Sequence, residues 1–313
     1  MVSVIMSTYR EPVYYVKQAV DSILNQTLKE IEFVIIIDEP SNKELIEYVR
    51  EQQQKDNRIV LLINENNCGL VESLNRGIER ASGKYIARMD ADDISETDRL
   101  EVQLKYLIDN DLDLVGCNVI NINEEGIIID EKGTNYPTTD KVIKKYLKMD
   151  NAIPHSTWFA KSAVFEQGNR YHNFEACEDY EFLTRIALDE KKLGNIKVPK
   201  LRYRINSLGI SNNKKVQQKI CLYYVRYKYT KGKKSSLDEF HEFLESKTGK
   251  KKQKDINSYY RYSKQIKKFY SDKKWIRFVL SGIFVFMKSE VGRQVVFNSF
   301  KEWILHVQYG TNY

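Results

Sequence analysis

The sequence lacks the motifs of several common types of site. It contains no G-x-G, which excludes a dinucleotide-binding fingerprint, and GIERASGKY at 77–85 differs from the spacing of a P-loop. No two cysteines form a C-x-x-C pair, so neither a zinc site nor a disulfide framework is indicated. Scattered cysteines of this kind fit a protein of a reducing compartment.

Long apolar runs are also scarce. The longest, WIRFVLSGIFVFM at 275–287, contains Arg277 and is too short to cross a bilayer, although it could lie on one. The first apolar run, VSVIMS at 2–7, is soon followed by Arg10 and Glu11, which predicts a first strand rather than a secretory signal. We therefore expect a cytoplasmic protein that could contact the inner face of the cell membrane.

Charge is unevenly distributed along the 313 residues. Residues 1–210 carry 27 Lys and Arg against 35 Asp and Glu, whereas residues 211–313 carry 23 against 8. The difference predicts an acidic body, 1–210, followed by a basic, Tyr-rich region, 211–313. Such a basic region suits phosphate-bearing partners, either anionic lipid or nucleic acid, or it is simply a solvated face.

Residues 2–90 alternate short apolar runs with amphipathic patterns. The patterns predict strands at 2–7, 32–38, 58–64 and 84–90, and helices at 14–26, 42–54 and 70–81. Strands that alternate with helices imply an α/β fold, in which a Rossmann-like, mainly parallel sheet is covered by helices on both faces. In such sheets ligands bind outside the carboxyl ends of the strands.

Acidic residues follow two of these strands. Asp38 closes the second strand and Asp90 the fourth, so we expect both at one edge of the sheet. Asp90 and Asp92, within YIARMDADD at 85–93, would face the same side of an extended segment about 6 to 7 Å apart, where hard oxygen ligands favour Mg²⁺ or Mn²⁺. Alternatively, these acids cap the next helix or occupy a solvated turn, and Asp93 could do so even if its neighbours bind metal.

Five blocks of sequence, taken together, carry a resemblance to a known family. In order they are VSVIMSTYRE, IIIDEPSN, NCGLVESLNRGIERASGKYIARMDADD, PHSTWFAKSAVFEQG and EACEDYEFLTRIAL, within roughly residues 1–205. They resemble the bacterial family-two glycosyltransferases of the GT-A fold. The resemblance implies an inverting enzyme that moves a sugar from a nucleotide-sugar, most often UDP-linked, to an acceptor hydroxyl in the synthesis of capsule, lipopolysaccharide or another surface glycan.

The resemblance also implies which residues bind the donor. Ser7, Tyr9 and Glu11 in the first loop would hold the nucleoside. Asp38 after the second strand would share that role, and Asn75 is a further donor-binding residue by position.

Catalytic roles follow from the same resemblance. Asp90 and Asp92 match the family's DxD motif, which binds a divalent metal and the ribose-diphosphate, and Asp179 matches the base that activates the acceptor. A carboxylate within hydrogen-bond reach can take the proton of an acceptor hydroxyl, and a cation can stabilise a departing diphosphate. Two positions depart from the family pattern. Ile37 replaces one Asp of the DDGSTD-like run that usually ends the second strand, and Leu74 stands where relatives often carry Arg.

Two candidate sites have structural alternatives. Glu178 and Asp179 precede the amphipathic pattern YEFLTRIAL, so either could favour the positive amino-terminal end of a helix instead of taking part in catalysis. His155 follows Pro154 and opens a β-like run, where it could touch the diphosphate or serve as a hydrogen-bonded structural histidine.

Residues 211–313 show no alternation of strands and helices. Their pattern predicts helices separated near KGKKSS at 231–236 and KTGKKKQK at 247–254. Tyr and Trp beside Lys and Arg suit a membrane interface, which leads to the hypothesis that this region brings the enzyme to a lipid-linked acceptor. The alternative is a small helical domain that packs on the sheet or on a second subunit of a homo-oligomer.

Other functions remain open at this point. An enzyme of this type could instead extend a protein-linked glycan. A catalytically inactive sugar-nucleotide-binding protein is disfavoured by the presence of Asp90, Asp92 and Asp179. A nucleic-acid-binding protein is disfavoured because no recognised motif accompanies the lysines. A nucleotidyltransferase would be expected to carry a glycine-rich phosphate loop, which the sequence does not contain.

Overall fold

The structure is a computed structural model that describes residues 1–166, 168–174, 176–205, 215–272 and 274–310. The predicted boundary after residue 210 lies outside the described residues. The strands are β1 (Val2–Thr8), β2 (Ile31–Ile37), β3 (Ile59–Ile63), β4 (Tyr85–Asp90), β5 (Ile94–Ser95), β6 (Leu114–Ile122), β7 (Ile128–Asp130), β8 (Phe159–Lys161) and β9 (Leu193–Arg204).

These strands form one mixed sheet. Their order is β3-β2-β1-β4-β8-β6-β9-β5, and β7 pairs with β6 outside this path. The first four neighbours are parallel, whereas β8 lies antiparallel between β4 and β6. The carboxyl ends of β1, β2, β3 and β4 therefore lie along one edge of the sheet, which we call the carboxyl edge.

Helices cover both faces of the parallel part. They are α1 (Val13–Leu24), α2 (Lys43–Lys55), α3 (Leu70–Arg80), α4 (Arg99–Asp109), α5 (Asp140–Tyr146) and α6 (Glu178–Leu188). Every residue of β1 and β2 is buried, with alternate side chains such as Ile5 and Met6 in different core clusters on the two faces. Burial on both faces explains why these strands read as continuous apolar runs.

The seven predicted elements of residues 2–90 are confirmed, with ends displaced by no more than two residues. One glycine shows how closely α3 lies on the sheet. A Cβ at Gly77 would come within 2.7 Å of both Ile5 and Ile36, so a larger residue there would push the helix away from β1 and β2. This close contact sets the position of the loop that leads into α3.

The described residues beyond 214 are helical. They form α7 (Lys215–Thr230), α8 (Leu237–Glu245), α9 (Lys247–Ser271), α10 (Trp275–Lys288) and α11 (Glu290–Tyr309). The break at 231–236 is as predicted. The second break was misplaced: it falls at Ser246, and residues 247–254 form the start of α9.

These helices contact the sheet domain at several points. On α7, Cys221, Tyr224 and Val225 belong to the same core cluster as α5 and α6. On α11, Tyr309 contacts Lys145 of α5 through a hydrogen bond and a cation–π contact. The helical region therefore packs on the sheet domain. Among the helices described, none is both long and apolar enough to cross a membrane.

Candidate active site

The carboxyl edge gathers the acidic residues named by the sequence. In the parallel register of β1 and β4, Ser7 lies opposite Asp90 at the end of the pair. Asp92 follows in a turn, and the backbone N–H of Asp93 donates to the carbonyl of Asp90 at 3.4 Å. The expectation that Asp90 and Asp92 share one side of an extended strand was wrong, because the chain turns after Asp90; the turn itself keeps the two residues close.

Three acids from two loops converge here. Burial, the charge of Asp90 and the charge of Glu11 raise the pKa of Asp92 to about 7. Glu11 is held in place after β1, since its Oε2 accepts hydrogen bonds from the Thr8 hydroxyl at 2.7 Å and from the Tyr9 N–H at 2.6 Å. The loops after β1 and β4 therefore present carboxylates to each other.

Asp93 has a different environment. It is fully buried, and its Oδ1 accepts a hydrogen bond from the backbone N–H of Arg204 at 2.9 Å, which ties the β4 loop to β9. Burial and the charges of Asp90 and Asp92 raise its pKa well above the usual range. Asp93 therefore has a structural contact, but it matches neither alternative given for it: it does not lie in a solvated turn, and the next helix, α4, begins at Arg99 with Asp98 as its N-cap.

Arg204 organises the same loop, and sequence reasoning missed it. Its guanidinium donates to the carbonyls of Asp92 at 2.7 Å, Asn123 at 3.0 Å and Glu124 at 2.8 Å, and to the Gln18 side chain at 2.7 Å. One buried arginine therefore joins α1, the β4 loop and the β6–β7 turn. The backbone of Asp92 is fixed through this residue.

Arg88 is a second arginine that sequence reasoning missed. It lies on β4 two residues before Asp90, is 4% exposed, and forms an ion pair with the Asp90 carboxylate. Although burial disfavours the charge, Asp90 and Tyr171 raise the pKa of Arg88. A charged residue in the otherwise apolar strand YIARMD was the signal that could have identified it.

Glu178 and Asp179 form a second acidic pair. The sequence pattern predicts that they precede the helix, whereas in the structure they lie in the first turn of α6. The residue just ahead of Cys177, the N-cap of α6, is Ala176, which adopts a φ of 61°, a strained value for a residue with a Cβ. The chain therefore turns sharply into the helix and presents both carboxylates at its positive end.

The two members of this pair differ in their contacts. Asp179 accepts hydrogen bonds from the Asn151 amide at 2.7 Å and from the Tyr180 N–H at 2.6 Å. Burial raises the pKa of Asp179 to about 6, and Arg88 and the Asn151 hydrogen bond limit the rise. Burial and the charge of Asp179 raise the pKa of Glu178 to about 8. As the pH rises, Asp179 therefore loses its proton before Glu178 does.

The two acidic groups belong to one electrostatic site. After burial and Asp179, the pKa of Glu178 is further raised by Asp90 and lowered by Arg88. Arg88 thus acts on both the β4 end and the α6 end of the site. Acidic residues that change the pKa values of one another are a common sign of a functional site, here between the end of a strand and the start of a helix.

Asp38 and Asn75 are engaged in holding loops. The buried Asp38 carboxylate accepts hydrogen bonds from the Asn64 amide at 2.7 Å and from the backbone N–H groups of Cys68 at 2.8 Å and Gly69 at 2.9 Å. Asn75 exchanges two hydrogen bonds with the backbone of Tyr171, at 2.9 and 3.0 Å. Both residues shape the approach to the site, and their predicted contacts to a donor remain predictions.

His155 lies in an aromatic cluster with Tyr171 and Trp158. Its Nε2 is 2.8 Å from the Tyr171 hydroxyl, and its ring packs edge-on against Trp158 at 4.6 Å between centroids. Burial and the charge of Arg88 lower the pKa of His155 well below the usual range, so it is neutral. These contacts match the structural alternative.

In the first loop, the Arg10 guanidinium lies over the Tyr9 ring at 4.7 Å.

The residues present fit a divalent cation that is shared with a ligand. No group of three or more His, Cys, Asp or Glu side chains arranged to hold a metal occurs among the described residues. Burial and then the charge of Asp90, however, raise the pKa of Asp92, and a cation between the two carboxylates would stabilise their charged forms. Mg²⁺ and Mn²⁺ commonly bind one or two carboxylates and complete their coordination with water and substrate phosphates.

Comparison with known proteins gives consistent results. The profile of "Glycosyl transferase family 2" matches residues 3–167. The O-antigen biosynthesis glycosyltransferase WbnJ of Escherichia coli is 33% identical over 251 residues, which is 79% of this chain and 91% of WbnJ.

Two solved structures share the fold. S. aureus TarS 1–349 in complex with UDP-GlcNAc superimposes with a TM-score of 0.58 at 14% identity, covering 82% of this chain and 70% of that one. The mannosyltransferase PcManGT from Pyrobaculum calidifontis, in complex with GDP-Man and Mn²⁺, gives a TM-score of 0.55 at 17% identity, over 71% of this chain and 62% of its own. These likenesses confirm the predicted GT-A fold.

Proposed function

The chain belongs to glycosyl transferase family 2, and we propose that it transfers a sugar from a UDP-sugar to a hydroxyl of a glycan acceptor, with inversion at the anomeric carbon. The observation that carries the proposal is the convergence of Asp90, Asp92 and Asp179 on one electrostatic site at the carboxyl edge of the sheet. The complex of TarS with UDP-GlcNAc supports a UDP-linked donor, and the name of WbnJ supports a role in bacterial surface polysaccharide synthesis.

The donor would bind along the loops after β1, β2 and β4. Ser7 and Glu11 lie near Asp90 and Asp92, so the nucleoside that they would hold would adjoin a diphosphate bound at Asp90 and Asp92. Tyr9 precedes Glu11 in the same loop and offers an aromatic face for the base. The Asp38 and Asn75 contacts hold the neighbouring loops in a fixed shape, so binding needs little reordering of the protein.

Asp90 and Asp92 would hold Mn²⁺ or Mg²⁺, and PcManGT with bound Mn²⁺ supports this part of the proposal. The cation supplies Lewis-acid stabilisation of the charge that develops on the departing diphosphate. Arg88 orients the Asp90 carboxylate through its ion pair, and Arg204 fixes the Asp92 backbone. These two arginines preorganise the loop before a donor arrives.

Asp179 would act as the general base. Its ionised carboxylate accepts the proton of the acceptor hydroxyl while the hydroxyl oxygen forms a bond to the anomeric carbon and the nucleoside diphosphate leaves from the opposite side. The Asn151 amide orients this carboxylate by donating to Oδ2. A single displacement forms no covalent sugar–enzyme intermediate, so none should be trapped.

The acceptor is proposed to be a lipid-linked glycan at the cytoplasmic face of the membrane. Residues 211–313 would form the part of the chain that meets the acceptor, the membrane or a second subunit. The basic excess of 23 Lys and Arg against 8 Asp and Glu in this region suits a carrier that bears phosphate.

The decisive test is a panel of sugar nucleotides with and without Mn²⁺, read as release of free UDP. We expect slow turnover of one UDP-sugar even without acceptor, and loss of turnover when the metal is chelated. Asp92→Ala should abolish turnover as well. Asp109→Ala, which removes an exposed carboxylate at the end of α4, is the matched control and should behave as wild type. Metal-dependent turnover that survives Asp92→Ala would refute the assignment of this ligand.

A further inference from the structure

Helices α10 and α11 expose large apolar side chains along one side, which we call the outer face. At least half of the surface of each of these residues is exposed: Leu280, Ile283 and Met287 on α10, and Val296, Phe297 and Val307 on α11. On α10 the spacings of three, four and seven residues place the side chains on one helical stripe, and on α11 the spacing of eleven residues, about three turns, places Val296 and Val307 on one side. Exposed apolar surface of this extent marks an interaction site in a soluble protein.

The outer face belongs to a packed unit. On the opposite side, Val285 and Val291 are buried, and Val291 joins Ile220 and Ile256 in a small core between α7, α9 and α11. A Cβ at Gly292 would lie 2.8 Å from Val285, so the two helices are in close contact where the chain turns between them. The apolar stripes are therefore held outward by tertiary packing.

Positive charge predominates around this face, although α11 also carries Glu290 and Glu302. Arg277 and Lys288 on α10 are exposed, as is Lys301 on α11, and α10 contains no acidic residue. The preceding helix α9 carries nine Lys and Arg against one acidic residue, Asp255. Apolar side chains flanked by basic ones are the pattern of helices that lie in a membrane interface.

We propose that the outer face of α10 and α11 docks on an anionic membrane surface. The apolar side chains would enter the boundary between headgroups and acyl chains, and Arg277, Lys288 and Lys301 would meet the lipid phosphates. A second copy of the chain fits less well, because a two-fold contact would bring this basic surface against itself.

Helix α11, which carries part of the outer face, also contacts the segment that holds the proposed base. The Asn298 amide of α11 donates to the carbonyl of Met149 at 3.3 Å, and two residues later Asn151 donates to Asp179. A lipid-linked acceptor in the docked membrane would thus approach from the side of Asp179 rather than from the donor loops. This part of the inference rests on the proposed function, whereas docking itself does not.

Flotation with vesicles tests the docking. At low salt, wild-type protein should float with vesicles of phosphatidylglycerol and phosphatidylcholine and much less with phosphatidylcholine alone. Leu280→Gln combined with Val296→Gln should reduce the bound fraction at least about tenfold, because each side chain loses the apolar surface that enters the lipid. Val198→Gln, an equally exposed valine on β9, is the matched control and should float as wild type.

A second variant guards against misfolding of the first. Arg277→Glu with Lys301→Glu should abolish the preference for the anionic vesicles while the thermal unfolding midpoint stays the same. Unchanged flotation of either double variant would overturn the proposal. So would a dimer in solution that Leu280→Gln with Val296→Gln dissociates, without vesicle binding by the wild type. UDP release by the same variants is measured in parallel, so that a failure of docking is distinguished from a failure of the proposed reaction.

Discussion

Residues 1–205 and residues 215–310 distribute charge and apolar surface in opposite ways. The sheet domain buries its apolar strands on both faces and also buries charged groups such as Arg88, Arg99 and Arg204 at or near the carboxyl edge. The helical region keeps most of its lysines in water and leaves apolar side chains such as Leu280 and Val307 exposed. Each arrangement is costly unless it serves a purpose.

The difference indicates which residues carry function in each part: buried charged residues in the sheet domain and exposed apolar residues in the helical region. A buried charge is tolerated only when hydrogen bonds or an opposite charge stabilise it. Arg204 has hydrogen bonds to the backbone of Asp92 and to Asp93, and Arg88 has an ion pair with Asp90. Exposed apolar surface is tolerated when something covers it. The sheet domain is therefore expected to respond to changes of buried charge, and the helical region to changes of exposed apolar and basic residues.

The largest expected effect is on catalysis. Asp179→Asn keeps the size of the side chain and removes its ability to accept a proton, so transfer to the acceptor should fall by about 10² to 10⁴-fold. Leu280→Gln with Val296→Gln should leave UDP release in solution unchanged. The check is to measure UDP release by both variants without vesicles. The comparison between the two regions would fail if the Leu280→Gln, Val296→Gln variant lost as much activity as Asp179→Asn.

The next effect is on stability. Arg88→Met leaves the partly buried Asp90 carboxylate without its cation, and we expect a loss of about 3 kcal/mol in the free energy of unfolding. Arg277→Met removes an exposed arginine from α10 and should leave the unfolding midpoint unchanged. Urea denaturation of the two variants compares the same substitution in the two regions. Equal midpoints would mean that the Arg88 ion pair contributes nothing.

A smaller effect depends on pH. Because the pKa of Glu178 is about 8 in the folded protein against an ordinary value of 4.5, the folded state resists ionisation of this side chain. Wild-type stability should therefore fall as pH rises from about 4.5 through about 8, and Glu178→Gln should remove that loss. A pKa shift of this size corresponds to ~5 kcal/mol, part of which reflects the repulsion shared with Asp179, so the variant should gain roughly 1–3 kcal/mol relative to wild type at pH 9 and little at pH 4. Glu245→Gln, at an exposed site in α8, should show no such dependence in urea titrations at both pH values.

The smallest effect concerns the pH dependence of the rate. The base must be ionised, so kcat/KM should rise with pH around the pKa of Asp179, about 6. Asn151→Ala removes a hydrogen bond that lowers the pKa of Asp179, and the rise should move slightly to higher pH, with a loss of about twofold at pH 6. A pH profile identical to wild type would show that Asn151 does not act on the base. The variants of the outer face should leave this profile in place.

Much of the fold could be predicted from the residues, because local patterns carry it. Strands buried on both faces must be apolar throughout, so IEFVIII could be identified as a strand without a structure. The acids at the ends of β2 and β4 were also predictable, since parallel strands bring their carboxyl ends together. The second break among the carboxyl-terminal helices was misplaced, because lysines and a glycine after Ser246 resemble a linker although they lie in α9.

The rest of the site depends on contacts between residues far apart in the chain. Nothing local marks Arg204, which reaches Gln18, Asp92 and Asn123 from the end of β9. Nor does any motif pair Asn151 with Asp179. The lowered pKa of His155 and the raised pKa of Glu178 depend on burial, which a sequence does not state for a single residue.

The sequence alone determined the α/β architecture, the acidic carboxyl edge and the basic excess of the last hundred residues, because spacing, strand ends and composition are properties of neighbours along the chain. Tertiary structure alone decided which acids are ionised, which arginines hold them and which face of α10 and α11 stays exposed. Protonation and exposure depend on what surrounds a side chain in space, and those surroundings come from distant segments brought together by packing.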